Sequence, residues 1–257
     1  MTVLHVPTLI HGRVLIEDAA ASPSGTIVAF HGYGQNAEDI LRELRRVPGI
    51  DAWRRIAPQA LHRFYTRDSS KVIASWMTRE DRELAVADNI GYIDNVLSQA
   101  QGDRPMAQDD HASKLSRGSA LGRASAEASA TLAEAPSART RPGPLALPLI
   151  FLGFSQGASM AYRAALLGKY RATGVIVLAG DVPSELKSVP AIAWPRVLVA
   201  GGSRDEWFSA KLEADASFFA TQGIAHDVVR FDGAHEWTDE FSLAVERFLG
   251  STPDAVS

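Results

Sequence analysis

The chain has 257 residues, 46% hydrophobic and 22% charged, with a formal net charge of −4. That composition excludes collagen-like and wholly disordered chains, offers no basic stripe for nucleic acid, and leaves ample length for a buried core in one large α/β domain or two small ones. The absence of cysteine excludes disulfides, thiolate metal sites and a thiol nucleophile.

Met1 to Pro7 lacks a basic segment followed by an apolar one. No apolar run approaches the roughly 18 residues that span a bilayer. A cytoplasmic protein with no stable membrane insertion is therefore expected. Leu9-Ile10 and Val14-Leu15-Ile16 read as edge strands of antiparallel sense. Thr26-Ile27-Val28-Ala29-Phe30 is a continuous apolar run ending in His31-Gly32-Tyr33-Gly34. A short helix follows, with Asn36 as its cap, Asp39 at the third helical position, and Ile40, Leu41 and Leu44 facing inward. Arg54 to Pro58 reads as a short strand, and Leu84, Ala87, Ile90, Ile93 and Leu97 recur at near-helical spacing.

From about 99 to 147 the chain turns rich in Ala, Ser, Arg, Gly and Pro, and no aromatic residue occurs between Tyr92 and Phe151. So little apolar surface cannot offset the entropy of ordering the segment. The expectation is a single domain over 1–257 interrupted by a flexible insertion.

Beyond it, Leu149 to Leu152 is a buried strand, with a helix from Gln156 to about Leu167 stopping at Gly168. Val175-Ile176-Val177-Leu178, Val197-Leu198-Val199-Ala200 and His226 to Phe231 are further strands. Trp237, Phe241, Ala244, Val245, Phe248 and Leu249 form a helical stripe ending at Gly250. Apolar runs without alternation suit strands covered on both faces, so the fold class is α/β, a mainly parallel sheet with helices on both sides. In such sheets, ligands bind beyond the carboxyl ends of the strands.

Four loops follow such strands and carry reactive residues. Gly153-Phe154-Ser155-Gln156-Gly157 lies between a strand and a helix, where a sharp turn would lift the serine hydroxyl clear of the sheet. Chance alone places Gly-x-Ser-x-Gly in about one chain in ten of this length, so the flanking strand and helix carry the argument. Asp205 follows the 197–200 strand, and His235 lies between the 226–231 strand and the last helix. A nucleophilic serine needs a base, and the base needs a carboxylate to hold its tautomer. Serine, acid, histidine is the chain order of an α/β-hydrolase sheet. Asp181 and Glu206 compete with Asp205 for the acid. In the fourth loop, the Tyr33 N–H would point at an oxyanion together with the Gln156 N–H, while His31 reads as structural.

With these residues the chain resembles the α/β-hydrolase superfamily, and within it the phospholipase/carboxylesterase group of lysophospholipases and acyl-protein thioesterases. The matching features are His31-Gly32-Tyr33-Gly34, Gly153-Phe154-Ser155-Gln156-Gly157, Gly201-Gly202-x-x-Asp205 and His235 before the last helix, with Gln156 the most discriminating. Ser75-Trp76-Met77 resembles the family's Ser-Trp-Phe segment beside the acyl pocket. Ala158 and Ala234 stand where the family usually has glycine, and the insertion matches nothing in it.

The resemblance implies a serine hydrolase of carboxylic esters or thioesters acting through an acyl-enzyme. Catalytic Ser155, Asp205 and His235 would work with an oxyanion hole of Tyr33 and Gln156, with no metal and no cofactor. Trp76, Met77 and Trp207 are candidates for substrate binding, with plain core packing as the alternative for each. The expected partner is a small-molecule ester or thioester, and the oligomeric state stays open. The competing readings are an acyltransferase using the same triad and an inactive binding protein on the same fold.

Overall fold

The computed structural model describes residues 1–101, 147–189 and 193–251. Seven strands form one sheet in the order β1-β3-β2-β6-β7-β8-β9. They are β1 (Arg13–Glu17), β2 (Gly25–Phe30), β3 (Trp53–Gln59), β6 (Leu149–Phe154), β7 (Gly174–Leu178), β8 (Arg196–Gly202) and β9 (His226–Phe231). Only β1 runs antiparallel, along the edge against β3. A two-stranded hairpin, β4 (His62–Tyr65) with β5 (Val72–Ser75), stands apart.

The parallel strands alternate between two apolar layers. Val28, Phe30, Phe151, Val175, Val177 and Val199 pack on one face beneath α2 (Arg82–Gln101), α3 (Gln156–Leu167) and α5 (Ser209–Thr221). Ile27, Ala29, Ile150, Leu152, Ile176 and Leu198 pack on the other beneath α1 (Ala37–Leu44) and α6 (Asp239–Gly250). A short helix, α4 (Ser184–Lys187), follows β7. The α1 helix carries the expected cap: the Asn36 side chain accepts from the Asp39 N–H, and the Asp39 carboxylate accepts from the Asn36 N–H. Among the described residues no helix is long and apolar enough to cross a membrane.

Several expectations are corrected. Leu9 and Ile10 are exposed and outside any strand, because β1 begins at Arg13. In α2, Leu84 and Ala87 face solvent, while Ala85, Val86, Asn89, Ile93, Val96 and Leu97 are buried, so the inward stripe is set one residue away from the reading near the start of the helix. Residues 99–101, assigned to the insertion, belong to that helix; 102–146 lie outside the described residues. The β4–β5 hairpin and α5 were not anticipated.

The chain on either side of the 102–146 segment lies near the amino ends of β3 and β6, the two strands that flank β2. The Arg54 guanidinium at the start of β3 donates to the Ala100 carbonyl near the end of α2 at 2.6 Å. Across the sheet, Thr26 pairs with Arg54 on one side and Leu149 on the other. Two strand spacings, about 10 Å, separate the starts of β3 and β6, and the Arg54 side chain spans the remaining distance to Ala100. Replacing 102–146 with about eight Gly/Ser residues is therefore expected to preserve a single cooperative thermal transition, with Tm within about 5 °C of the parent. A noncooperative melt would show that the segment belongs to the core.

Candidate active site

The turn from β6 into α3 places Ser155 at φ 54° and ψ −119°. Such a conformation costs a side-chain-bearing residue about 1–3 kcal/mol and persists only where the surroundings enforce it. Here the Ser155 N–H donates to the Leu178 carbonyl at 2.9 Å, and the Ser155 carbonyl accepts from the Ala158 N–H at 2.9 Å. The helix then passes close against β2. A Cβ on Gly157 would lie 2.2 Å from the Phe30 carbonyl oxygen and 2.6 Å from that of His31. The serine thus stands at the N-terminus of α3, where unsatisfied amides and the helix dipole favour developing negative charge.

Two further loops meet beside it. The Gly202 backbone approaches so closely that a Cβ there would lie 2.2 Å from the Gly233 carbonyl oxygen. The Ser203 N–H donates to Phe231 O and the Arg204 N–H to Gly233 O, each at 2.9 Å, so the β8 and β9 loops are fastened together. Across this junction His235 Nδ1 meets Asp205 Oδ2 at 2.7 Å. Asp205 is 3% exposed, and its other oxygen accepts from the Trp207 and Phe208 amides at 3.1 and 3.2 Å. Because the carboxylate only accepts, His235 carries its proton on Nδ1, leaving Nε2 free as a base. The rival acids lie elsewhere: Asp181 pairs with Lys211 at 3.3 Å, and Glu206 is exposed.

The His235 ring is enclosed by Phe154 at 5.1 Å, Phe208 at 5.3 Å and Trp207 at 6.0 Å between centroids. Phe154 is the residue before Ser155, so histidine and serine are near neighbours. The structure brings Asp205 and His235 into contact but does not close the last link, since the Ser155 hydroxyl has no hydrogen-bond partner among the described residues. Contacts of this kind commonly tighten only once substrate is bound.

The β2–α1 loop lies against the serine, for a Cβ on Gly32 would meet Phe154 Cδ1 at 3.2 Å and Ser155 Cβ at 3.4 Å. Neither the Tyr33 nor the Gln156 N–H is taken by a backbone acceptor among the described residues. The Tyr33 side chain is 64% exposed and rests on Phe64. The Gln156 side chain has a part that sequence reasoning missed: Oε1 accepts from the Trp76 N–H at 2.9 Å and Nε2 donates to the Met77 carbonyl at 2.9 Å.

Trp76 is fully buried, donating its indole N–H to the His31 carbonyl at 2.8 Å, so it supports the site from within the core. Met77 is also buried, its sulfur 3.5 Å from the Arg163 guanidinium. Trp207, by contrast, is 72% exposed beside His235. The enclosing Phe154 and Phe208 were missed as well; their placement next to Ser155 and three residues after Asp205 was the available signal.

Among solved structures, the chain is similar to esterase PE8 at 19% identity and TM-score 0.63, over 95% of this chain and 100% of that one. It is similar to acyl-protein thioesterase 2 of Zea mays at 16% identity and TM-score 0.61, over 94% and 99% of the two chains. A phospholipase/carboxylesterase from Dyadobacter fermentans matches at 16% identity and TM-score 0.57, over 94% and 97%. No family model and no curated protein sequence matches. At these identities the likeness establishes the fold, and that fold is the α/β-hydrolase fold.

His31 is fully buried, and its Nε2 accepts from the Ala60 N–H at 3.1 Å, so Nδ1 is the donor to the Gly32 carbonyl at 2.7 Å. Burial lowers its pKa from 6.5 to about 4, against smaller opposing effects of the Gly32 carbonyl and the Asp39 charge. The unfolded chain binds this proton near pH 6.5, and the folded chain resists it down to about 4. Stability from the neutral ring is thus complete above pH 6.5 and lost as pH falls through that window, by up to about 3 kcal/mol at 1.4 kcal/mol per unit. Urea midpoints measured from pH 8 to pH 4.5 are expected to fall less steeply in His31→Gln than in the parent. Parallel curves would show that another group dominates acid unfolding.

Proposed function

We propose that the chain is a serine hydrolase of carboxylic esters or thioesters, similar to the phospholipase/carboxylesterase group. One observation carries the reading: a buried Asp205 holds His235 in the base-competent tautomer at the mouth of the same sheet that presents Ser155 on a strained elbow. The similarity to structures described as an esterase, a thioesterase and a phospholipase/carboxylesterase supports it.

In this mechanism Ser155 Oγ attacks the substrate carbonyl carbon while His235 Nε2 takes the hydroxyl proton. The carbonyl oxygen becomes an oxyanion and accepts hydrogen bonds from the Tyr33 and Gln156 amides, each worth on the order of 3 kcal/mol in comparable sites. Collapse breaks the bond to the alcohol or thiol, which leaves with the proton from His235. Water then attacks the acyl-Ser155 ester, His235 takes its proton, and the second collapse returns that proton to Ser155 as the acid departs. Asp205 stays ionised throughout and stabilises the imidazolium. Trp207, exposed next to His235, offers an apolar surface to the substrate, and buried Met77 backs the elbow through its carbonyl bond to Gln156.

A fluorophosphonate probe is expected to label the parent covalently at Ser155 and to leave Ser155→Ala unlabelled. Hydrolysis of a small ester should drop on the order of 10⁵-fold in that variant. Labelling that survives the substitution would overturn the nucleophile assignment. Among acid variants, Asp205→Asn should lose on the order of 10⁴-fold in kcat, while Glu206→Gln and Asp181→Asn stay within about threefold. A larger loss at either of the other two would move the acid.

A further inference from the structure

The strand β5 takes no part in the chemistry above, yet it is bonded to the residues just after Tyr33 and to the Gln156 side chain. On one side the Gly34 N–H donates to Ala74 O at 3.0 Å, and the Ala74 N–H to Gln35 O at 2.9 Å. These bonds extend the hairpin onto the residues just after Tyr33. The Asn36 side chain donates to Val72 O at 3.3 Å. Ahead of β5, Lys71 Nζ reaches both oxygens of Asp39 at 2.8 Å. Asp39 is 6% exposed, caps α1 through the Asn36 N–H and also accepts from Arg42. On the other side, Trp76 and Met77 just past β5 are bonded to the Gln156 side chain, and Ser75 Oγ lies 3.2 Å from Gln156 Nε2.

We propose that residues 71–77 form a splint that sets the separation between the Tyr33 and Gln156 amides, with the Lys71–Asp39 ion pair as its removable end. The two donors are more than 100 positions apart in sequence. The backbone contact of Gly157 with Phe30 and His31 ties the elbow only to the base of the Tyr33 loop. Beyond that base the loop turns through Gly34 at φ 71°, and Tyr33 projects into solvent. Two donors acting on one oxyanion must be aligned with it simultaneously, and misplacement of about 1 Å costs on the order of 100-fold in rate. Lys71 is a positioning residue in this scheme. Its side chain is 46% exposed, and the buried Asp39 keeps its bonds to Arg42 and the Asn36 N–H when Lys71 is removed, so the carboxylate stays paired and the protein should remain folded.

The inference rests on the serine-hydrolase reading, and its test separates the two. In Lys71→Met, kcat on a small acetate ester is expected to fall about tenfold while KM stays within about twofold. Affinity for phenylboronic acid, whose tetrahedral adduct places an oxygen in the hole, should fall by about the same factor. Lys71→Arg should recover most of both losses. Arg196→Gln, which cuts an ion pair with Asp227 at the start of β8, should change neither. Independently of activity, amide hydrogen exchange over residues 31–41 should quicken in Lys71→Met and stay unchanged in β7 and β8. Unchanged kcat and boronate affinity in a parent that labels at Ser155 would overturn the splint and leave the hydrolase reading intact. A parent that fails to label overturns the hydrolase reading, and unchanged exchange over 31–41 overturns the splint whatever the activity.

Discussion

The site depends on one backbone contact that admits no side chain: the first turn of α3 lies against the last carbonyls of β2 where Gly157 meets Phe30 and His31. Because the helix begins so close to the sheet, the chain must reverse within a single residue, and Ser155 takes the left-handed conformation that results. The same approach brings Gly32, at the base of the β2–α1 loop, against Phe154 and Ser155 beside the helix N-terminus. Strain at the serine is offset by the apolar layers below, where Phe30, Phe151 and Trp76 are buried and the Phe30 ring contacts both of the others. Each such side chain contributes roughly 1.5–3 kcal/mol on burial, enough to hold a turn costing one to three.

A second close approach, at Gly202, does for Asp205 and His235 what Gly157 does for Ser155. With the β8 and β9 loops locked backbone to backbone, Asp205 can be buried and still accept three hydrogen bonds, from His235 and the Trp207 and Phe208 amides. A buried carboxylate is tolerable only when so satisfied. The Glu236 carboxylate, accepting from the Ala234 N–H at 2.9 Å, stiffens the turn that carries His235. The aromatic rings around the imidazole then limit its rotation, leaving Nε2 as the free nitrogen.

Charge is distributed unevenly between the site and the layer behind it. Arg163, fully buried on α3, is held by Glu185 on α4, and Asp215 on α5 accepts from the Val182 N–H and Lys187. These contacts tie the segment after β7 to the helices on the α3 face. Burial pushes the Asp215 carboxyl above its ordinary range despite those donors. Removing one partner of such a buried pair costs more than the pair itself contributes, so these groups act as registration contacts between elements.

The strands with uninterrupted apolar runs, the capping box at Asn36 and Asp39, the span of α3 and the placement of Ser155, Asp205 and His235 on loops after β6, β8 and β9 were all legible in the sequence. Each is encoded within a short stretch, where burial on both faces, a helix cap or a turn leaves its mark on consecutive residues. What was not legible follows from exposure or from chain closure. His62 to Tyr65 shows little apolar alternation because the hairpin is largely solvated, and α5 buries only Leu212, Asp215 and Phe219, too sparse a stripe to announce a helix. In α2 the buried Asn89 and the exposed Leu84 reversed the pattern that hydrophobicity suggests. That Asp205 and not Asp181 meets His235, that the Gln156 side chain clasps Trp76 and Met77, and that Lys71 closes on Asp39 were decided only by tertiary structure. Those contacts join residues tens of positions apart, and local sequence carries no record of which distant partner the folded sheet will bring within 3 Å.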